Sequence, residues 1–498
     1  MSTWYEDAVF YHMYPLGMTG VPTENPFPAD FQENSSSRPD CLEECKSGTA
    51  FSELNAWIPY IKDLNISALY IGPLFESSTH GYDTRDLRRI DRRLGTSEDF
   101  RAFVSHCHAA GIRVIVDAVF NHTGRDFFAF QDVRKNLDAS PYCSWYRGIH
   151  FGWSSPMGDP FGYEAWHGIW DLPCLNHDNP QVRDYILDTV RFWIHEFDID
   201  GLRLDCAGDL SFLLMEELRK FSNSLKKDFW LMGEVIHGDY SRFVRPQMLH
   251  SVTNYEMHKS IYSAHNDHNY FELAHNVRRL EKVGRQLYTF VDNHDENRIA
   301  SKLNSQSHLA PVYTLLFTLP GIPSIYYGSE WGIQGLRGPS SDTALRPRIR
   351  PEELPYRSEL FQAADKLPQL EERSSSGKNR MPQEEHTDDG KKNLELYHLI
   401  RRLAEIHRSE PALHSGLYQE LFLTNRQYAF ARIDSYSAVL AAANNDDAPA
   451  SFSVSLPFHT NETELCDLLT GRPFIVQNNQ AQIELEGNSA VILKITEG

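Results

Sequence analysis

The sequence has little of what export, membrane insertion or nucleic-acid binding requires. Its first twenty residues carry Glu6 and Asp7 and no Lys or Arg, whereas a secretory leader opens on a positive region. The longest apolar run, Tyr313 to Tyr327, is broken by Pro320 and Pro323 and is shorter than the ~20 residues of a membrane span. Cysteine is sparse, seven in 498 residues and scattered, which suits a reducing compartment better than a disulfide scaffold. Cys41 and Cys45 have the spacing of a metal-binding pair, but no second pair lies nearby, so no zinc site is expected there. Positive charge is also short: Lys plus Arg is 48, Asp plus Glu is 68, and the formal net charge is −20. Such a surface repels phosphate backbones and anionic lipid, so neither nucleic acid nor a membrane is expected as a partner. A neutral ligand remains compatible. The expectation is a soluble, cytoplasmic protein of undetermined oligomeric state.

Apolar material is ample, with 41% hydrophobic and 12% aromatic residues, which excludes global disorder. An amphipathic helix followed by a short apolar strand recurs along the chain. Helices are expected at Ser52–Asn65, from an N-cap at Ser97 to Gly111, from Asn179-Pro180 to Phe197, and at Leu213–Leu225, Phe271–Leu280 and His308–Leu319. Strands are expected at Phe10–Tyr14, Ala68–Gly72, Ile112–Asp117 running on to Phe120, Ile199–Asp205, Phe229–Gly233, Val252–Tyr255, Leu287–Val291 and Ser324–Tyr327. Alternating elements argue for a parallel sheet, and eight such strands favour a closed (β/α)8 TIM barrel over a doubly wound sheet. Two stretches break the repeat. Thr123–His177, rich in aromatics, Gly and Pro, shows no helical period and is read as an excursion after strand 3. Asp365–Lys392 is polar and is read as an exposed insertion. From Gly416 short alternating runs punctuated by Asn, Asp and Gly predict an antiparallel β-sandwich. The expected domains are therefore a barrel over 1–122 and 178–415, an excursion over 123–177 and a sandwich over 416–498.

Chemistry in a barrel collects at the C-terminal ends of its strands. Those ends here carry Asn121-His122, Asp205, Glu234 and Asp292-Asn293-His294-Asp295. Glu234 lies 29 positions after Asp205, and Asp295 lies 61 after Glu234. One βα unit is about 30 residues, so these spacings are near one and two units and bring the residues to one rim. Arg203 and Asp205 are two apart on a strand and share a face, with Leu202 and Leu204 opposite. An ionised Asp beside an Arg, near a partly desolvated Glu, is the pair that retaining glycoside hydrolysis uses as nucleophile and acid. Asp295 is positioned to hold sugar hydroxyls, with His122 and His294 as hydroxyl partners. Spacing alone leaves open a divalent-metal site made by His122, Asp205, Glu234, His294 and Asp295.

Four ordered segments resemble the motifs of the alpha-amylase family, glycoside hydrolase family 13. They are Asp117-Ala118-Val119-Phe120-Asn121-His122, Gly201-Leu202-Arg203-Leu204-Asp205, Gly233-Glu234-Val235 and Phe290-Val291-Asp292-Asn293-His294-Asp295. Leu172–Asn176 and Gly321–Glu330 resemble two further family segments. The resemblance implies Asp205 as nucleophile, Glu234 as acid/base and Asp295 as transition-state stabiliser, with Arg203, His122 and His294 lining the −1 subsite. His80-Gly81-Tyr82-Asp83 resembles the segment whose Tyr stacks on the −1 sugar, which makes Tyr82 the candidate platform. Many secreted members bind calcium with a ligand at the place of Asn121 and a Lys-His pair after the nucleophile. Here that place reads Ala207-Gly208-Asp209, so calcium is not favoured and no cofactor is expected. The text Phe197–Asp205 resembles the neopullulanase and cyclomaltodextrinase branch, which carries an extra N-terminal β domain. The expected first barrel strand leaves no room for one ahead of it. The implied activity is hydrolysis of α-1,4-glucosidic bonds in maltooligosaccharides or cyclodextrins. Transglycosylation through the same intermediate and hydrolysis of another α-glucoside are the alternatives. Trp153, Trp166, Trp170 and Trp331 are the candidate acceptor-site aromatics.

Overall fold

The computed structural model describes residues 3–26, 49–339, 341–350, 388–435, 437–457, 459–460 and 463–496. Cys41 and Cys45 lie outside them, as does the polar stretch 365–392 except its last five residues. The chain divides into two compact units.

One unit comprises Met13–Asn55 and Leu69–Thr253. It holds five short, largely apolar strands: β2 (Ala68–Ile71, its first residue just outside), β3 (Arg113–Ala118), β4 (Gly201–Leu204), β5 (Trp230–Gly233) and β6 (Ser251–Val252). They pair in the order β6-β5-β4-β3-β2, with β3 to β6 parallel. Strands buried on both faces read as continuous apolar runs, and β2, β4 and β5 are buried throughout. The helix Ser97–Ala109 is capped by Thr96, not Ser97. Thr96 accepts from the Asp99 N–H while the Asp99 carboxylate accepts from the Thr96 N–H, a reciprocal box worth about 1 kcal/mol. Asn179 caps Pro180–Phe197 with Pro180 in the first turn, as expected. Between β3 and that helix runs the excursion. It contains a helix, Phe128–Asn136, which its composition did not predict. Phe130 packs edge-on against Tyr146, Phe161 and Tyr163, and this aromatic cluster replaces regular periodicity as the source of order.

The other unit comprises Met1–His12, Ala56–Ala68 and Asn254–Gly498. It contains β1 (Phe10–Met13, all but its last residue), β7 (Tyr288–Thr289) and β8 (Ile322–Tyr326), parallel in the order β1-β8-β7. Val252–Tyr255 was expected to be one strand. Instead Asn254 accepts from the Met257 N–H and starts a helix, Tyr255–Asn266. A further long helix, Asp388–Ser409, buries Leu396, Ile400, Leu403 and His407 at steps of three and four. The C-terminal strands are β9 (Leu417–Leu423), β10 (Gln427–Ile433), β11 (Ser437–Asn444), β12 (Ala450–Ser455), β13 (Glu464–Cys466), β14 (Pro473–Gln477), β15 (Gln480–Leu485) and β16 (Ser489–Thr496). They form two antiparallel sheets, β9-β10-β11-β16 and β12-β15-β14-β13. Leu440, Val454, Phe474, Ile483 and Leu493 fill the core of this sandwich. The fold class is thus a (β/α)8 barrel with an excursion after strand 3 and a C-terminal β-sandwich. Among the described residues no helix is long and apolar enough to cross a membrane.

Candidate active site

Strand register builds the first half of the site. Asp117 pairs in register with Arg203, and Leu204 with Gly233. The next residues, Asp205 and Glu234, therefore leave the sheet side by side. The Asp205 N–H donates to the Ala118 carbonyl at 3.1 Å and the Glu234 N–H to the Leu204 carbonyl at 2.9 Å. Alternation along β4 turns Leu202 and Leu204 into the core and Arg203 toward the carboxylates. The Arg203 guanidinium donates from one nitrogen to Asp117 Oδ1 at 2.9 Å and Asp205 Oδ1 at 2.6 Å. Its other nitrogen meets Glu234 Oε1 at 2.6 Å. Asp117 in turn accepts from the hydroxyls of Tyr70 at 2.9 Å and Tyr82 at 3.0 Å. The Tyr82 ring is thereby fixed by its hydroxyl while remaining half-buried. Gly72 makes this approach possible, since a Cβ there would stand 2.3 Å from Asp117 Cβ.

The electrostatics correct one expectation. Arg203 alone was expected to hold Asp205 anionic, but the structure shares it among three buried carboxylates. Burial pushes the Asp205 carboxyl up to about 8, helped by Glu234 and Asp117 and opposed by Arg203. One guanidinium shared by three carboxylates out of water leaves Asp205 holding its proton to higher pH than an exposed carboxyl does. Cys206, at φ 37, closes the turn. Its N–H donates to Glu234 Oε2 at 3.0 Å and its thiol to Asp205 Oδ2 at 3.4 Å. His122 is buried with its Nε2 unpartnered. Burial and the nearby His80 push its imidazole down to about 3, so it serves as a neutral ring. Trp166 lies against it, ring centroids 5.3 Å apart.

The other unit supplies a second cluster after β7. Asn293 Oδ1 accepts from the N–H groups of Asp295 and Glu296, both at 2.9 Å, which folds the turn. His294 Nε2 is 2.9 Å from Asp295 Oδ2, and its ring stands edge-on to His12. Arg346 donates from Nε to the His294 carbonyl at 3.0 Å and from its terminal nitrogen to Asp295 Oδ1 at 2.8 Å. Asp292 is buried below, accepting from the Ile299 N–H at 2.8 Å and the Ser329 hydroxyl at 2.7 Å. Asp205, Glu234, Arg203, His122 and Tyr82 thus belong to one cluster, and His294 and Asp295 to the other.

The description "Alpha amylase, catalytic domain" matches residues 51–392. A cyclomaltodextrinase of Thermoanaerobacter pseudethanolicus is 31% identical over 88% of this chain and 69% of its own length. The chain belongs to the alpha-amylase family. A maltogenic alpha-amylase of Bacillus acidopullulyticus is 31% identical over 74% of this chain and 62% of its own. Among solved structures, the debranching enzyme of Nostoc punctiforme superposes with a TM-score of 0.78 at 26% identity, over 99% of this chain and 100% of its own.

Within this alpha-amylase fold, sequence reasoning left four contacts unassigned. Asp117 organises Arg203 and both tyrosines; the signal was a lone charge in the apolar strand Val114–Ala118. Tyr70, Cys206 and Arg346 had no local signal, because their roles depend on register and loop geometry. Of the four candidate tryptophans, Trp331 is a core residue, stacked on Tyr397 and donating to the Tyr60 hydroxyl at 2.7 Å. Trp153 and Trp170 meet edge-on in the excursion. A calcium ion takes six to eight oxygens. Asn121 Oδ1 is buried and unpartnered, but the amide nitrogen faces His122 Nδ1 at 3.3 Å. Asp209 is engaged by Trp166 Nε1 at 2.8 Å and His167 Nε2 at 3.2 Å. One amide oxygen beside an imidazole is not a calcium cage.

Proposed function

We propose that this alpha-amylase family chain hydrolyses α-1,4-glucosidic bonds of maltooligosaccharides or cyclodextrins with retention of configuration. The observation that carries the reading is the Asp205–Arg203–Glu234 arrangement, in which two buried carboxylates meet one guanidinium at 2.6 Å each. In the reactive form the proton sits on Glu234 and Asp205 is ionised against Arg203. Asp205 attacks the anomeric carbon as Glu234 gives its proton to the leaving oxygen. Glu234, now a carboxylate, then takes a proton from water, which displaces Asp205 and returns the α-anomer. Asp295, held by Arg346, binds sugar hydroxyls and offsets the developing positive charge. Tyr82 offers its ring as the stacking face, and His122 and His294 bond hydroxyls. No cofactor takes part, and the partner is the oligosaccharide alone. The five described cysteines carry free thiols, which supports a cytoplasmic setting.

The test is product analysis after separate incubation with maltotriose, maltoheptaose, β-cyclodextrin and pullulan, with the first-formed anomer followed by NMR. Shorter products released as the α-anomer support the proposal. Release of the β-anomer refutes the double displacement. Products longer than the substrate move the assignment to transglycosylation.

A further inference from the structure

Among the described residues, one group of three metal-capable side chains converges, and it lies inside this cluster. A ring nitrogen of His122, a carboxylate oxygen of Asp205 and the Cys206 thiol all fall within 4.8 Å of one another, and all three residues are buried. The Sγ–Oδ2 separation is already 3.4 Å. Bonds of about 2.1 Å in a tetrahedron place ligands about 3.4 Å apart, so small side-chain rotations complete the set.

Two further observations point to a cation. His122 is 1% exposed, and its Nε2 makes no hydrogen bond of good geometry, with the Tyr82 backbone as a further polar neighbour of the ring. Its Nδ1 is occupied by the Asn121 amide. Turning that amide over brings the unpartnered Asn121 oxygen onto Nδ1–H and leaves the Nε2 lone pair free. Second, among the described residues, Asp117, Asp205 and Glu234 share the Arg203 guanidinium. The cluster lacks positive charge, and a divalent ion would supply it.

We propose that His122, Asp205 and Cys206 form an inhibitory site for a borderline-soft divalent cation of the zinc class, with water as fourth ligand. Thiolate and imidazole select such ions over calcium and magnesium, which favour all-oxygen shells. Binding releases the Cys206 thiol proton and the Asp205 carboxyl proton to solvent and leaves the metal bonded to Sγ and to an Asp205 oxygen. An Asp205 oxygen bonded to the ion is no longer available for attack, and the ion occupies the place of the sugar. Binding itself follows from the three side chains; only the inhibition rests on the proposed nucleophile.

The test titrates Zn2+ against maltotriose hydrolysis in a non-chelating buffer, with Ca2+ and Mg2+ at the same concentrations. Zn2+ is expected to inhibit competitively and EDTA to restore the rate, while the hard ions do nothing. Loss of an outer partner of a ligand already costs about tenfold in affinity. Cys206→Ala should therefore weaken Zn2+ inhibition at least about tenfold, each enzyme being compared with its own metal-free rate. Equal sensitivity in Cys206→Ala and the parent overturns the site. Cys206→Ser, which keeps the volume, is the second variant. Co2+ binding provides a readout independent of turnover. A thiolate-to-cobalt absorption band, present in the parent and absent in Cys206→Ser, supports the site even if no glucoside is cleaved. Bound Co2+ without that difference refutes it.

Discussion

Asp205→Asn should make the protein more stable while abolishing its proposed chemistry. Burial beside Glu234 and Asp117 lifts the Asp205 carboxyl from the usual 3.8 to about 8. Unfolded, it ionises near 3.8. Between those values the native state holds a proton that the unfolded state does not, so stability falls as pH rises. The contribution is fully favourable below about pH 4 and is lost as pH rises through about 8. At pH 7 the mismatch is about three pKa units, or about 4 kcal/mol at 1.36 kcal/mol per unit. Asn removes that mismatch and keeps an acceptor for Arg203, but an amide oxygen accepts more weakly than a carboxyl group in this cluster, a loss of up to about 2 kcal/mol. The net gain is at least about 2 kcal/mol at pH 7.

The assay is urea unfolding of the full chain followed by tryptophan fluorescence, for parent and Asp205→Asn, at about pH 6, 7 and 8. The variant's advantage should widen by up to about 1.4 kcal/mol per pH unit and level off above about pH 8. Maltooligosaccharide turnover should fall by several orders of magnitude in the same preparation. A stability gap that is constant or narrows with pH would show that Asp205 is not held protonated. The account of three carboxylates on one arginine would then be wrong.

The remaining predictions concern neighbouring contacts. The pH profile of kcat/KM should rise toward about pH 8, as Asp205 ionises to the form that attacks the anomeric carbon; a rate that is flat from about pH 6 to pH 8 contradicts this. Arg346→Ala should lower kcat by about 10- to 100-fold with little change in KM, the worth of one charge-assisted hydrogen bond to Asp295. Arg346→Lys should recover part of it, and an unaltered kcat in Arg346→Ala removes the positioning role. Gly72→Ala forces a Cβ to within 2.3 Å of Asp117 Cβ; a loss of about 1–3 kcal/mol in unfolding free energy is expected, with lower activity as Asp117 shifts. Glu330 is buried, accepts from the hydroxyls of Tyr11 and Tyr60, both at 2.7 Å, and burial raises its carboxyl. Glu330→Gln keeps the acceptor and should gain in relative stability as pH rises; a pH-independent difference speaks against a protonated Glu330.

What could be read from the sequence follows from what is local. Val114–Ala118 and Gly201–Leu204 are short, mainly apolar runs whose strand identity needs no tertiary information, and Gln427–Ile433 and Ala450–Ser455 are strands with the expected bounds, the second alternating in burial and the first buried over five consecutive residues. Asn179-Pro180 marks a helix start by chemistry alone. Val252–Tyr255 misled because a β-branched and aromatic run outweighed one Asn, yet the Asn254 cap decides the structure. Thr96 displaced Ser97 for a similar reason, since the partner that completes the box is Asp99, three residues on. Asp388–Ser409 does carry the Leu396, Ile400, Leu403 pattern, but its charged opening residues masked it.

The limit of that reading shows most clearly at Arg203. Two-residue periodicity places it on the face of Asp205, and a single neighbouring carboxylate implies an ionised nucleophile. Whether that holds depends on how many anions the guanidinium serves, which is a matter of register across three strands. Asp117 stands opposite Arg203, and Leu204 opposite Gly233, so three carboxylates reach one cation. The same register that makes the site capable of acid and nucleophile chemistry leaves it short of positive charge. Its proton affinity, its cost to stability and its proposed attraction for a divalent ion are consequences of that one imbalance. They should change together when Asp205 is neutralised: Asp205→Asn is expected to raise stability, abolish turnover and weaken Zn2+ or Co2+ binding in one step. A variant that gained stability but still bound the metal as tightly as the parent would separate the imbalance from the metal site.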